Sequence, residues 1–319
     1  MSERKLAFIF PGQGSQYVGM GKELATAFPE VRERFAEADE ALGYPISELC
    51  FAGPAERLVQ TEYTQPAILT VSAAVCELVR RRTSLRPRLV AGHSLGEYAA
   101  LVAAGALDFA DAVRIVRERG RLMEEALPRG TGGMAAILGL EREVVVELCR
   151  QVRATHGVVE PATLNGPGQT VVAGVNEALD EVLRRAREAG ARRTVRLAVS
   201  GPFHSSLLRE AGLELGRLLE TVAWREPEVP VVANVKARPV ADIGEVKRAL
   251  VEQVYSAVRW EESVRYMIDQ GIDVFVEIGP GSVLSGLVKR IDRSVEVFNV
   301  EDRASWDKLI AWSKGDGII

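Results

Sequence analysis

Paired cysteines, long apolar runs and an excess of either charge are all missing from this chain, and each absence removes a class of protein. Three cysteines (Cys50, Cys76, Cys149) stand far apart in 319 residues, form no C-x-x-C and are odd in number. That usage speaks against a disulfide framework or a zinc site and fits buried thiols in a reducing compartment. The apolar run Leu6 to Phe10 stops at Pro11-Gly12 and is too short for a signal-peptide core. The most apolar stretch, Leu89 to Leu107, is broken by His93, Glu97 and three glycines, so it reads as strand, turn and helix rather than a membrane span. Forty Lys+Arg against forty-four Asp+Glu leave a formal charge of −4, which argues against a general nucleic-acid binder. The arginine clusters Arg80-Arg81-Arg82 and Arg192-Arg193 read as solvated helix ends. Internal repeats and low-complexity segments are absent as well. The expectation is a soluble cytoplasmic protein without membrane or nucleic-acid partners, and a monomer.

What is present is an α/β pattern. At about 150 residues per domain, this length suggests two domains or one with an insertion. Short apolar strands alternate with amphipathic helices. Leu6 to Phe10 runs into Pro11-Gly12-Gln13-Gly14, Arg88 to Ala91 into Gly92-His93-Ser94-Leu95-Gly96, and Asp273 to Ile278 into Gly279-Pro280-Gly281. Helices are expected over Asp108 to Leu127, Ser205 to Val222 and Ser282 to Ile291. The middle differs. After Pro128-Arg129-Gly130, strands are expected at Met134 to Gly139, Glu160 to Asn165, Thr170 to Val175 and Arg193 to Val199. Helices at Glu141 to Ala154 and Asn176 to Ala189 complete the order β-α-β-β-α-β of a ferredoxin-like unit. The chain thus divides into a large α/β domain with a mostly parallel sheet, residues 1–129 and 200–319, and an inserted ferredoxin-like domain, residues 130–199.

The chemistry begins at Gly92-x-Ser94-x-Gly96. Between a strand and a helix, this is the setting of a nucleophile elbow, in which small flanking residues permit a strained turn that presents a serine hydroxyl. The bland alternative is a glycine-rich turn with an incidental serine. A serine needs a base, and the chain has three histidines. His93 adjoins the serine and should point to the other side of the turn. His156 falls in a polar connection and reads as an exposed loop residue. His204 lies in a loop between a strand and a long helix, and it is the well-placed partner for Ser94, although a lone histidine is often structural. No acidic residue flanks it closely, so the sequence does not name the group that orients it; a backbone carbonyl would serve. The N–H groups of Leu95 and Gln13 are candidates for an oxyanion hole. A phosphate-loop reading of Gly12-Gln13-Gly14 fails, because neither G-x-G-x-x-G nor Gly-Lys-Ser/Thr is present. On a helical projection at 100° per residue, Arg119 falls near the centre of an apolar arc. A guanidinium there cannot discharge and needs an anion, either a structural carboxylate or a carboxylate on the substrate. Gln253 shares an apolar stripe with Val246, Ala249 and Leu250, as a core amide or a site wall.

Taken together, Phe10-Pro11-Gly12-Gln13-Gly14-Ser15-Gln16, Gly92-His93-Ser94-Leu95-Gly96-Glu97, Arg119-Gly120, Asn165-Gly166-Pro167-Gly168-Gln169, Phe203-His204-Ser205 and Glu277-Ile278-Gly279-Pro280-Gly281 carry a resemblance over essentially the whole chain. In order and spacing they resemble the malonyl-CoA:acyl carrier protein transacylases and the related acyltransferase domains of polyketide synthases. The resemblance implies a hydrolase-like large domain and a ferredoxin-like small one. It implies Ser94 as nucleophile, His204 as base and then acid, and the N–H groups of Gln13 and Leu95 as oxyanion hole. Arg119 would hold the malonyl carboxylate, with Gln253 beside it near the carbonyl that orients His204. Asn165 would sit at the cleft, Phe203 would favour malonyl over methylmalonyl, and Arg193 and Arg290 would meet coenzyme A phosphates or the acidic carrier. The implied partners are malonyl-CoA and acyl carrier protein, with no metal or redox cofactor. Two other classes use part of this equipment. A serine hydrolase would need the elbow and histidine but not Arg119, and a non-catalytic carrier-binding module would need neither.

Overall fold

Strands covered by helices on both faces must be apolar at every position, and Leu6–Phe10 (β1) is buried throughout. Its alternate side chains serve two cores. Leu6, Phe8 and Phe10 join Val90, Val274 and Val276 on one face, while Ala7 and Ile9 join Leu89, Ala91 and Phe275 on the other. The computed structural model describes residues 4–128 and 130–315. Arg129, at the expected boundary between the two domains, lies outside the described residues. The remaining strands are Pro87–Gly92 (β2), Gly132–Leu138 (β3), Val159–Gly166 (β4), Gln169–Val175 (β5), Arg193–Arg196 (β6), Val231–Ala233 (β7), Arg238–Pro239 (β8), Val274–Ile278 (β9) and Glu296–Val300 (β10).

The chain forms a mixed α/β structure with two sheets. The larger has the order β10-β9-β1-β2-β7-β8, parallel from β10 to β7 with β8 antiparallel at the edge. Parallel strands end on the same side, so the glycine turns after β1, β2 and β9 meet there, where ligands bind in open α/β sheets. The second sheet has the order β4-β5-β3-β6 and is wholly antiparallel. One face is covered by the helices Arg142–His156 and Asn176–Glu188, which pack Val145, Cys149, Val152, Leu179 and Val182 onto Ala135, Ile137 and Val172. From the other face Met134 and Val171 line a cavity shared with the larger sheet. Two hydrogen bonds of 2.9 Å, Leu164 N–H to the Val258 carbonyl and Val258 N–H to the Ala162 carbonyl, fasten the edge strand β4 to the rest of the chain. Among the described residues no helix is long and apolar enough to cross a membrane.

Several local expectations are corrected. The strand read as Arg193 to Val199 ends at Arg196, although the Leu197 N–H still donates to the Met134 carbonyl on β3; Leu197 and Val199 line the cavity. The helix read from Ser205 begins as a single 3-10 turn, Ser206–Leu208, and continues as Arg209–Leu219. His156 is the last residue of the helix Arg142–His156 rather than a loop residue. Arg192 and Arg193 stand at the start of β6, not at a helix end. Arg80, Arg81 and Arg82 do form a solvated helix end, half or more exposed in the last turn, where Arg82 also pairs with Glu30 and the other two with Glu77.

The turn after β2 is packed without slack. A Cβ at Gly96 would sit 2.1 Å from the Phe10 carbonyl oxygen at the end of β1, a fixed backbone atom. Gly96→Ala is therefore expected to cost about 1–3 kcal/mol of stability by overpacking. Thermal melting followed by circular dichroism would register several degrees of loss, and an unchanged transition would mean that β1 can yield.

Candidate active site

Ser94 sits between β2 and the helix Gly96–Ala103 with φ 52°, and His204 has φ 60°. Left-handed conformations in non-glycine residues are sparsely populated, cost about 1–3 kcal/mol and cluster at functional sites. These two residues face each other. Ser94 Oγ lies 2.7 Å from His204 Nε2, and His204 Nδ1 lies 2.7 Å from the backbone carbonyl of Gln253. The carbonyl can only accept, so Nδ1 carries the proton and Nε2 presents a lone pair to the serine hydroxyl. His204 is 5% exposed. Burial, reinforced by the Arg119 guanidinium, pushes it down to about 3 and keeps it neutral.

Arg119 is 1% exposed on the inward face of the helix Phe109–Glu125. That helix approaches the helix Thr61–Arg82 closely because residue 120 is glycine, where a Cβ would lie 2.6 Å from the Thr61 carbonyl oxygen. The approach brings Arg119 Nη1 to 2.8 Å from Gln65 Oε1. Nη2 donates to Gln253 Oε1 at 2.7 Å and to Ser94 Oγ at 3.1 Å. Nε has no hydrogen-bond partner, and among the described residues no carboxylate forms an ion pair with this guanidinium. The structural ion pair offered as one explanation of Arg119 is therefore not what holds it. Gln253 is a fully buried core amide and not a wall of the cavity: its carbonyl accepts from His204 Nδ1 and its side chain meets Arg119.

Gln13 and Leu95 line the same space, and among the described residues no hydrogen bond occupies the N–H of either. Phe203 and Asn165 also line this cavity of about 210 Å³. Its apolar walls include Met123, Met134, Val171 and Leu287. Asn165 Oδ1 meets His93 Nε2 at 2.8 Å, so His93 does not point away from the site but bridges to β4 across the cleft. Burial lowers its pKa, which leaves a neutral ring in that bridge. Arg290 lines an adjoining basic concavity with Arg192, Lys289 and Arg293, whereas Arg193 lines neither. The helix Val283–Ile291 forms a wall of both spaces.

Three polar residues of this arrangement carried no assigned role in the sequence. Gln65 is buried in the Thr61–Arg82 helix, and the test that singled out Arg119, a polar residue on an apolar arc, would have found it. Glu97 and Asn234 are buried behind the turn. Glu97 stood in a noted motif, while Asn234 follows a three-residue strand with no local signal.

Comparison with known proteins agrees with this geometry. Residues 7–309 match the family model described as an acyl transferase domain. The malonyl CoA-acyl carrier protein transacylase of Bacillus subtilis is 47% identical over 298 residues, covering 93% of this chain and 94% of the relative. The crystal structure of the corresponding transacylase from Xanthomonas oryzae superposes with a TM-score of 0.94 at 46% identity, covering 98% of this chain and 99% of that one. A malonyl-transacylase solved in complex with a type II polyketide acyl carrier protein gives a TM-score of 0.93 at 44% identity, covering 95% and 98%. With a serine, a histidine and a buried guanidinium meeting at the strand ends, and with relatives similar over nearly their whole length, the chain belongs to the malonyl-CoA:acyl carrier protein transacylase family of acyltransferases.

Proposed function

We propose that this protein moves a malonyl group from malonyl-CoA to the phosphopantetheine thiol of an acyl carrier protein through an ester on Ser94. The observation that carries the reading is Arg119, a buried cation without a carboxylate, 3.1 Å from the nucleophile. Of the five N–H groups of a guanidinium, three are directed to Gln65, Gln253 and Ser94. Arg119 lines the cavity, so a carboxylate on the acyl group could displace one of these neutral oxygens and take a charge-assisted hydrogen bond from the guanidinium. A serine hydrolase acting on neutral esters has no use for that charge.

In the first half-reaction His204 Nε2 accepts the Ser94 proton while Oγ attacks the thioester carbon. The carbonyl oxygen becomes an oxyanion and takes hydrogen bonds from the N–H groups of Gln13 and Leu95. Collapse breaks the C–S bond, and the departing coenzyme A sulfur takes the proton from His204. In the second half the carrier thiol gives its proton to His204 and attacks the ester carbonyl. The new thioester leaves as Ser94 Oγ recovers the proton. The scheme needs no metal or redox cofactor, and all its groups come from one chain, so a monomer suffices. Phe203 closes the cavity near the base and disfavours a substituent on the α-carbon. Arg290, with Arg192, Lys289 and Arg293 beside it, is suited to the phosphates of coenzyme A or an acidic carrier; Arg193 is further from that concavity. The free thiols of Cys50, Cys76 and Cys149 suit a cytoplasmic setting.

The direct test is intact mass after mixing with malonyl-CoA, before and after adding holo acyl carrier protein. A malonyl adduct that moves to the carrier is expected; one that decays to free malonate would make the protein a hydrolase. Arg119→Ala is expected to lower malonyl transfer by about 10²-fold, the weight of hydrogen bonds to a charged group, while sparing acetyl transfer. Equal loss on both donors would make Arg119 structural.

The histidine yields a further expectation. Its folded pKa is depressed from the ordinary 6.5, so Nε2 stays neutral below that pH and loses its lone pair only as pH falls through the lowered value. The acid limb of kcat/KM, which reports the free enzyme, should lie well below pH 6.5. A limb at the ordinary histidine value would contradict the buried, neutral base.

A further inference from the structure

Two buried side chains behind the site have no part in the transfer scheme, yet both are engaged with it. Asn234 follows β7 and is fully buried. Its amide spans the turn that carries the nucleophile: Oδ1 accepts from the Ser94 N–H at 2.7 Å, and Nδ2 donates to the Gly92 carbonyl at 2.6 Å. The two bonds close a ring around the segment in which Ser94 holds its positive φ. An amide suits this place, because one end must accept and the other donate.

Glu97 is 3% exposed in the first turn of the helix Gly96–Ala103. Its Oε2 accepts from the Asn234 N–H at 3.1 Å and from Gln253 Nε2 at 2.8 Å. Gln253 Nε2 also donates to the Ser94 carbonyl at 3.0 Å. Both amide hydrogens of Gln253 are thus claimed from one side, and Oε1 is left facing Arg119 Nη2 at 2.7 Å. A flipped amide would set donor against donor at the guanidinium.

The geometry points to Asn234 and Glu97 as positioning residues of the transfer reaction: Asn234 fixes the nucleophile turn, and Glu97 fixes the Gln253 amide and, through it, Arg119. This rests on the roles of Ser94 and Arg119 proposed above. The two arms have different signatures. Asn234 acts on Ser94 and on the neighbouring Leu95 N–H, so its loss affects every acyl group in the chemical step. Glu97 acts on the guanidinium, so its loss affects acyl groups that bear a carboxylate and appears in KM.

The experiment is steady-state transfer from malonyl-CoA and from acetyl-CoA to holo carrier protein by the wild type and by Asn234→Ala, Asn234→Asp, Glu97→Leu, Glu97→Asp and Glu97→Gln. Wild-type malonyl transfer tests the underlying reading by itself, and the ratios of variant to wild type test the positioning. Asn234→Ala should lower kcat on both donors by about 10²-fold, the effect of a misplacement of about 1 Å. Asn234→Asp, which keeps the acceptor for Ser94 but loses the donor to Gly92, should fall between. Glu97→Leu should raise KM for malonyl-CoA by about 10-fold or more, as for a lost hydrogen bond in a charged network, with acetyl transfer little changed. Glu97→Gln retains one side-chain oxygen able to accept from the Asn234 N–H and Gln253 Nε2 and should recover most of the malonyl KM. Glu97→Asp withdraws the carboxylate by one methylene and serves the same test if the leucine variant does not fold. Wild-type kcat in both Asn234 variants would overturn the proposal. So would a Glu97→Leu or Glu97→Asp defect that is equal on the two donors, or a leucine defect not relieved by glutamine.

Discussion

A positive charge that cannot be given up, buried without a negative partner, is the constraint around which this site is organised. Arginine keeps its proton under all ordinary conditions, and isolating such a charge from water is costly unless its hydrogens are satisfied. The chain meets that demand at Arg119 with neutral oxygens from three separate elements: Gln65, Gln253 and Ser94. The consequences spread outward. The same charge helps hold His204 neutral, with Nε2 facing the Ser94 hydroxyl. It also lowers the pKa of Glu97, although burial dominates and leaves that carboxyl up at about 7.

The supporting structure is arranged to keep that cation and Ser94 in register. β1, β2 and β9 are adjacent and parallel, so their carboxyl ends bring three turns to one crevice without any long-range loop. The helix after β9 is tied down in turn by Glu277, a buried carboxylate on β9. It accepts from the N–H groups of Leu284 and Ser285 and from the Ser285 hydroxyl. Burial raises its pKa, and these bonds oppose the rise. The wall formed by Leu284 and Leu287 is therefore fixed to the sheet that carries the turns.

Much of this was legible in the sequence, and the reasons differ residue by residue. Arg119 was visible because helical periodicity marks any charge on an apolar arc. Ser94 was visible because an elbow requires small residues at fixed spacing, and His204 because so few histidines compete. The alternation of strands and helices, and its change of order in the middle of the chain, marked the two sheets. What stayed hidden depends on contacts distant in sequence. Asn234 is 140 positions from Ser94, and no local pattern says that its amide will span that turn. His93 was set aside on the direction expected of a residue beside the nucleophile, yet the fold offers it Asn165 on β4. The end of β6 could not be read from composition, because Leu197 and Val199 are apolar for the sake of the cavity rather than the sheet.

The second sheet enters and leaves the chain through neighbouring strands. β3 and β6 are hydrogen-bonded partners, with Ala135 opposite Arg196, so the two crossings into this sheet lie only about 5 Å apart at the backbone. To the larger sheet, the whole excursion is equivalent to one surface loop with its ends already closed. Such an arrangement leaves the paths of β1, β2 and β9, and the turn after β2 that carries Ser94, independent of the length of the excursion.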